Sequence, residues 1–172
     1  MQDLFAPAPR ADIFNLVKSI LLFTAGSEII GGVLLTVFWS REMPILQAAG
    51  NGFFHSVSAF CNAGFSLFAD SMMRYSGDLM LNGVVCILIV VGGIGFPVLF
   101  DLQSWLRFRK RQRRRLSVQT KTVMLTTLIL VVCGALMFAL LEQSPPADAH
   151  SLGHHLLTPL FQSITCRTAG FN

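Results

Sequence analysis

Two stretches combine residues that can enter a membrane with residues that can replace the water around a cation. The first is Phe54-His55-Ser56-Val57-Ser58-Ala59-Phe60-Cys61-Asn62-Ala63-Gly64-Phe65 and the second is Phe161-Gln162-Ser163-Ile164-Thr165-Cys166-Arg167-Thr168-Ala169-Gly170-Phe171-Asn172. Both read Phe, any residue, Ser, a β-branched aliphatic, Ser or Thr, a short gap, then Ala-Gly-Phe, and the gap is one residue shorter in the second copy. A cation in a narrow passage must lose its hydration shell, and rings of backbone carbonyls can stand in for it. A Gly takes positive φ without steric cost, so neighbouring carbonyls can turn toward one axis. The ends of short helices add a dipole field. Both stretches therefore read as re-entrant pore helices, each ending in a backbone-lined ion filter.

The surrounding chain has to place these stretches in a bilayer, and its composition fits that task. Of its 172 residues, 53% are hydrophobic and 13% charged, against about 25% charged in soluble domains. Ile13 to Trp39 is nearly all apolar and exceeds the ~20 residues that cross the hydrocarbon core. Trp39 suits the far interface. Glu28, in mid-span, must face protein or water rather than lipid. A hydrogen bond to the neighbouring pore-loop backbone is the preferred reading, with a direct ion-site role as the alternative. Arg41, Glu42 and Pro44 break this helix. Gln47 to Phe68 then reads as re-entrant, because it is short for a span and lies between polar loops. Its helix is expected to end near Phe60 or Cys61. Leu79 to Phe100 and Thr122 to Leu141 are the next two spans, and a second pore helix is expected from about Gly153 to Thr165.

Between those spans runs Arg107-Phe108-Arg109-Lys110-Arg111-Gln112-Arg113-Arg114-Arg115. Such a run can bind nucleic acid. Directly after a span it reads better as a cytoplasmic linker facing anionic lipid headgroups. No nucleic-acid partner is expected. That orientation opens both filter stretches to the outside. The cluster Gly92-Gly93-Ile94-Gly95 lies inside an apolar span and lacks the strand–turn–helix context of a nucleotide loop, so helix packing or a local bend explains it better. His150, His154 and His155 read as interfacial rather than as a metal site, and no transition metal is expected. The four cysteines, Cys61, Cys86, Cys133 and Cys166, lack redox or zinc spacing and read as free thiols. Met1 to Arg10 lacks the apolar core of a signal peptide.

The order is span, pore loop, span, basic linker, span, pore loop. It divides the chain into a full span–pore–span unit at 1–104, a linker at 105–121, and a span with pore loop at 122–172. The fold class is thus an all-α membrane protein built from incomplete span–pore loop–span repeats. At Phe54 to Ser66, Tyr75-Ser76-Gly77-Asp78, Gly92 to Phe96 and Arg167 to Asn172 the chain resembles the Trk/Ktr/HKT superfamily of potassium transporters, and most of all its KtrB branch. Cys61 stands where that pattern more often has Asn. Four such repeats surround one pore in that superfamily. The chain resembles the second repeat and the first part of the third, which implies a fragment of a longer protein or a truncated gene product.

The resemblance implies potassium uptake, often sodium-dependent, in a multi-pass cell-membrane protein with no enzyme activity and no covalently bound cofactor. The implied cation-binding filter residues are Cys61, Asn62, Ala63, Gly64 and Phe65 with Arg167, Thr168, Ala169 and Gly170. Glu28 and Arg167 are assigned structural places beside the filter. Arg167 is read as bracing the loop from behind, against carboxylates or carbonyls, rather than gating the ion. The implied partners are membrane lipid, a second copy in a homodimer, and a cytoplasmic nucleotide-binding regulatory ring. Two other readings carry different expectations: a non-transporting membrane scaffold, and a membrane enzyme using Glu28 and the histidines.

Overall fold

The computed structural model describes residues 10–108, 116–141 and 152–171. Its elements are α1 (Arg10–Trp39), α2 (Ile45–Phe60), a single 3₁₀ turn at Met73–Tyr75, α3 (Leu79–Ile94), α4 (Phe96–Phe108), α5 (Val118–Leu141) and α6 (Leu152–Thr168). Among the described residues, two helices are long and apolar enough to cross a membrane, at Phe14–Trp39 and Val118–Leu141. They expose Leu21, Leu22, Ile29 and Ile30 on α1, and Leu125, Leu128, Ile129 and Leu136 on α5. In water such continuous apolar faces would drive association. Against lipid tails they carry no penalty, and the chain is a membrane protein with at least two apolar spans.

Each long helix is paired with a shorter one. α2 packs along α1 and α6 along α5, while α3 packs against α1 and α2 and receives α6. Small residues set the first pairing. A side chain on Gly52 would reach within 2.5 Å of Thr36 Oγ1 and 2.8 Å of the Gly32 carbonyl, so the two backbones approach as only glycine allows.

The expected span Leu79 to Phe100 is not one straight helix. The chain turns by 100° between Leu79–Ile94 and Phe96–Gln103. The hinge is Gly95, at φ 88°, a conformation that a side chain disfavours. α3 alone is therefore about 24 Å long at 1.5 Å per residue, and the bent pair counts as a third span only when taken together. α4 then runs to Phe108, and α5 begins at Val118, so helix occupies both ends of the segment assigned to the linker. Arg109 to Arg115 lie outside the described residues. Asp101 of α4 ties these ends together: its Oδ2 accepts from the Ser117 amide at 2.9 Å and the Thr120 hydroxyl at 2.7 Å.

The loop from α2 to α3 folds over a buried aromatic cluster. His55 is fully buried, stacked on Phe68 at 5.1 Å and set against Trp39. Its two nitrogens have distinct roles: Nδ1–H donates to the Asn51 carbonyl at 2.7 Å, and Nε2 accepts from the Leu67 amide at 3.3 Å. Asp78 caps α3 by accepting from the Leu81 amide at 2.9 Å, which satisfies one otherwise orphaned helix donor.

Tyr75 closes the cluster, buried and donating its hydroxyl to Glu42 Oε2 at 2.9 Å. Burial first and the Glu42 carboxylate second push its pKa above the ordinary value. A raised folded pKa favours the protonated phenol. Its contribution to stability is therefore complete below pH ~10, the unperturbed value, and disappears as pH rises through the folded pKa. This is the chain's single tyrosine, so tyrosinate absorbance, taken as the difference from Tyr75→Phe, should titrate above that value, and Glu42→Gln should bring the midpoint down. A wild-type midpoint at or below the free-phenol value would contradict this account.

Candidate functional site

The sequence accounts for how α2 stops. Asn62-Ala63-Gly64 is poor helix material, and Phe60 is the last helical residue. Asn62 then takes φ 54° and Gly64 φ 69°. Asn tolerates the left-handed region better than most residues because its short polar side chain bonds locally. The Cys61 amide still donates to the Val57 carbonyl at 2.9 Å and the Ala63 amide to the Ser58 carbonyl at 2.8 Å. The chain then turns back, and the Ser58 hydroxyl donates to the Phe65 carbonyl at 2.8 Å.

The same arrangement closes α6. The Gly170 amide donates to the Thr165 carbonyl at 2.8 Å, Gly170 takes φ 85°, and the Thr165 hydroxyl donates to the Phe171 carbonyl at 3.0 Å. The match extends to the long helices. Ser56 donates to the Glu28 carbonyl at 2.8 Å, and Ser163 donates to the Val131 carbonyl at 2.8 Å. One turn further along, Gly31 and Gly134 leave the room those hydroxyls occupy. Each such bond contributes about 1 kcal/mol net, and the loss is larger when a buried partner is orphaned.

The two loops meet. A side chain on Gly64 would collide with the Ala169 carbonyl, and its Cβ would lie 3.1 Å from the Gly170 carbonyl carbon. Among the described residues, no hydrogen bond reaches the carbonyls of Cys61, Asn62, Ala63 and Gly64, or those of Arg167, Thr168, Ala169 and Gly170. The Phe65 carbonyl differs, being held by Ser58. Arg167 and Thr168 also differ from expectation, which places them beyond the end of the second pore helix. α6 continues past the expected end at Thr165 to Thr168, so both sit in its last turn. Asn172 lies outside the described residues.

The neighbours assigned structural places have partners other than those expected. Glu28 Oε1 lies 3.9 Å from the Cys61 thiol, within reach of a sulfur hydrogen bond, instead of bonding loop backbone. Arg167 donates through Nη1 to the Thr127 hydroxyl at 3.1 Å, instead of to a carboxylate or carbonyl. Its other terminal nitrogen approaches Gly93, whose Cβ would sit 3.2 Å from it. Gly92 touches the α2 terminus directly: a side chain there would collide with the Phe60 carbonyl. Close packing and a bend thus both account for the glycine cluster.

The sequence points to Gly31, with Gly26, Ser27 and Gly32, as a place of close backbone approach, and it offers no role for Thr127 or Gly134. Ser56, Ser58, Ser163 and Thr165 were given no work from sequence, although their recurrence in both copies was the available signal. Among the described residues, no group of three or more His, Cys, Asp or Glu could hold a metal ion. The histidine trio falls on His150, outside those residues, and on His154 and His155, whose helical backbone alone is described.

Known proteins share this sequence pattern. Residues 10–172 match the TrkH family, described as cation transport protein. The chain belongs to that family. It is 39% identical to the Ktr system potassium uptake protein B of Vibrio alginolyticus, over 95% of this chain and 36% of the relative. It is 38% identical to the Ktr system potassium uptake protein B of Bacillus subtilis, over 93% of this chain and 35% of the relative. The potassium/sodium uptake protein NtpJ of Enterococcus hirae is 32% identical, with 92% and 34% covered. The chain spans about a third of the length of the curated relatives it matches.

Proposed function

We propose that residues 54–65 and 161–172 are two pore loops of a potassium-translocating pathway, and that main-chain oxygens of Asn62, Ala63 and Gly64 and of Thr168, Ala169 and Gly170 coordinate the passing ion. One observation carries this reading. Two loops far apart in sequence bring Gly64 against Ala169 and Gly170, and the intervening carbonyls there lack protein donors among the described residues. Ala63, Thr168 and Gly170 are exposed, and Asn62 and Gly64 partly so, so the loop surface there is open to an ion. A desolvated cation is a partner that suits several such oxygens. In this reading 1–104 and 122–172 are successive span–pore units joined by the cytoplasmic linker 105–121, and the loops open outward. A homodimer docked on a cytoplasmic nucleotide-binding ring completes the proposal. No covalent chemistry is involved.

The test is cation uptake in potassium-uptake-deficient cells, with and without the native reading frame that encodes this chain. Expression should restore growth on limiting potassium and raise potassium influx over sodium influx. Stable insertion in the membrane without added influx would overturn the proposal in favour of a non-transporting scaffold.

A further inference from the structure

The backbone contact at Gly64 and Ala169 fixes how closely the two loops approach, but contact alone is not directional. One hydrogen bond is. The Thr168 hydroxyl donates to Asn62 Oδ1 at 2.7 Å, joining positions 106 residues apart. Among the described residues it is the single hydrogen bond between the two loops. The other end of the same amide is also engaged, with Nδ2 donating to the Phe60 carbonyl at 3.3 Å. With both ends occupied, the amide cannot rotate without losing a bond. Gly92 and Gly93 leave the space it fills: Cβ atoms there would lie 3.2 and 3.7 Å from Nδ2. Thr168 is the last residue of α6, and Asn62 is the second beyond α2. The bond therefore ties one pore-helix terminus to the other at the level of the unpaired carbonyls.

We propose that Asn62 and Thr168 form a latch between the two loops that sets the spacing of their carbonyls and, through it, the discrimination between potassium and sodium. The inference rests on the filter reading above and adds a role for two side chains where that reading uses only backbone. Selectivity by carbonyls depends on how many oxygens converge and how far they can close in. A bond across the gap between loops limits both. Asn62 and Thr168 act here as positioning residues, with no side-chain contact to the ion.

The experiment compares potassium and sodium influx per molecule at the membrane, in the native reading frame. Thr168→Val removes the donor and keeps the shape. Asn62→Gly removes the acceptor and keeps the positive φ without strain. Each should lower the potassium/sodium ratio by about fivefold, as expected for one hydrogen bond. The double variant should fall no further than either single one, and Thr168→Ser should restore the ratio. A Gly64→Ala comparison separates the two levels of argument. If Gly64→Ala lowers the ratio but Thr168→Val and Asn62→Gly leave it intact, the latch is wrong and the filter stands. If none of the three alters it, the filter reading fails and takes the latch with it. A slower total influx at constant ratio also overturns the latch, because it would mark a bond that supports the fold alone.

Discussion

Gly64→Ala is expected to collapse cation discrimination while leaving membrane insertion intact. Two costs coincide at this position. The backbone sits at φ 69°, where a side chain costs about 1–2 kcal/mol. The added methyl would also collide with the Ala169 carbonyl, which is main chain and cannot rotate away like a side-chain tip. The two loops must then separate or Gly64 must leave the left-handed region. Either change moves carbonyls assigned to the ion. The combined penalty is on the order of 3 kcal/mol, so the potassium/sodium influx ratio should fall by at least tenfold. Gly170→Ala is a graded comparison: it shares the positive φ, at 85°, but no atom lies within 4 Å of its Cβ position. It should lose less. Equal ratios in Gly64→Ala and the unmodified protein would contradict the assigned geometry.

Both loops and most helices were legible in the sequence because their signals are local. Apolar run length marks α1 and α5. Asn62-Ala63-Gly64 stops α2 within one residue of the expected place. The second loop was less legible because its gap is one residue shorter. α6 uses Cys166, Arg167 and Thr168 as helix, whereas α2 leaves Cys61 and Asn62 outside. Composition does not distinguish those outcomes; the packing of α6 against α5 and α3 does. The 100° turn at Gly95 was half visible: the glycine cluster marks a weak point, but hydropathy runs on unbroken into α4.

Partners across the fold were harder to read. Glu28 was expected to find backbone and instead meets Cys61. Arg167 was expected to find a carboxylate or carbonyl and meets Thr127, 40 residues away. Each polar group in a span needs a partner, so the need was predictable. The identity of the partner depends on which helix faces come together. The motif did carry that information indirectly. Ser56 with Gly31, and Ser163 with Gly134, recur at matching places because a hydroxyl bonding a neighbouring helix requires a gap in that helix's surface.

Gly92→Ala is expected to loosen the attachment of α3 to the end of α2. The Phe60 carbonyl, freed from the ladder where the helix ends, accepts from the Asn62 side-chain amide at 3.3 Å, and α3 lies against it so closely that a methyl on Gly92 would collide with its oxygen. Overpacking typically costs about 1–3 kcal/mol, and the upper end applies because both contacting groups are backbone. Displacing α3 also disturbs the Asn62 amide, which lies 3.2 Å from the same Cβ position. Gly83 on the same helix supplies the contrast, since no atom lies within 4 Å of a Cβ there. Gly83→Ala should be neutral or should gain up to ~1 kcal/mol from helix propensity. In detergent, the melting temperature of Gly92→Ala should fall by roughly 5–10 °C at that penalty, while that of Gly83→Ala holds or rises. Equal shifts in the two variants would mean that α3 does not rest on the α2 terminus, and Asn62 would lose the glycine surface that holds its amide in place.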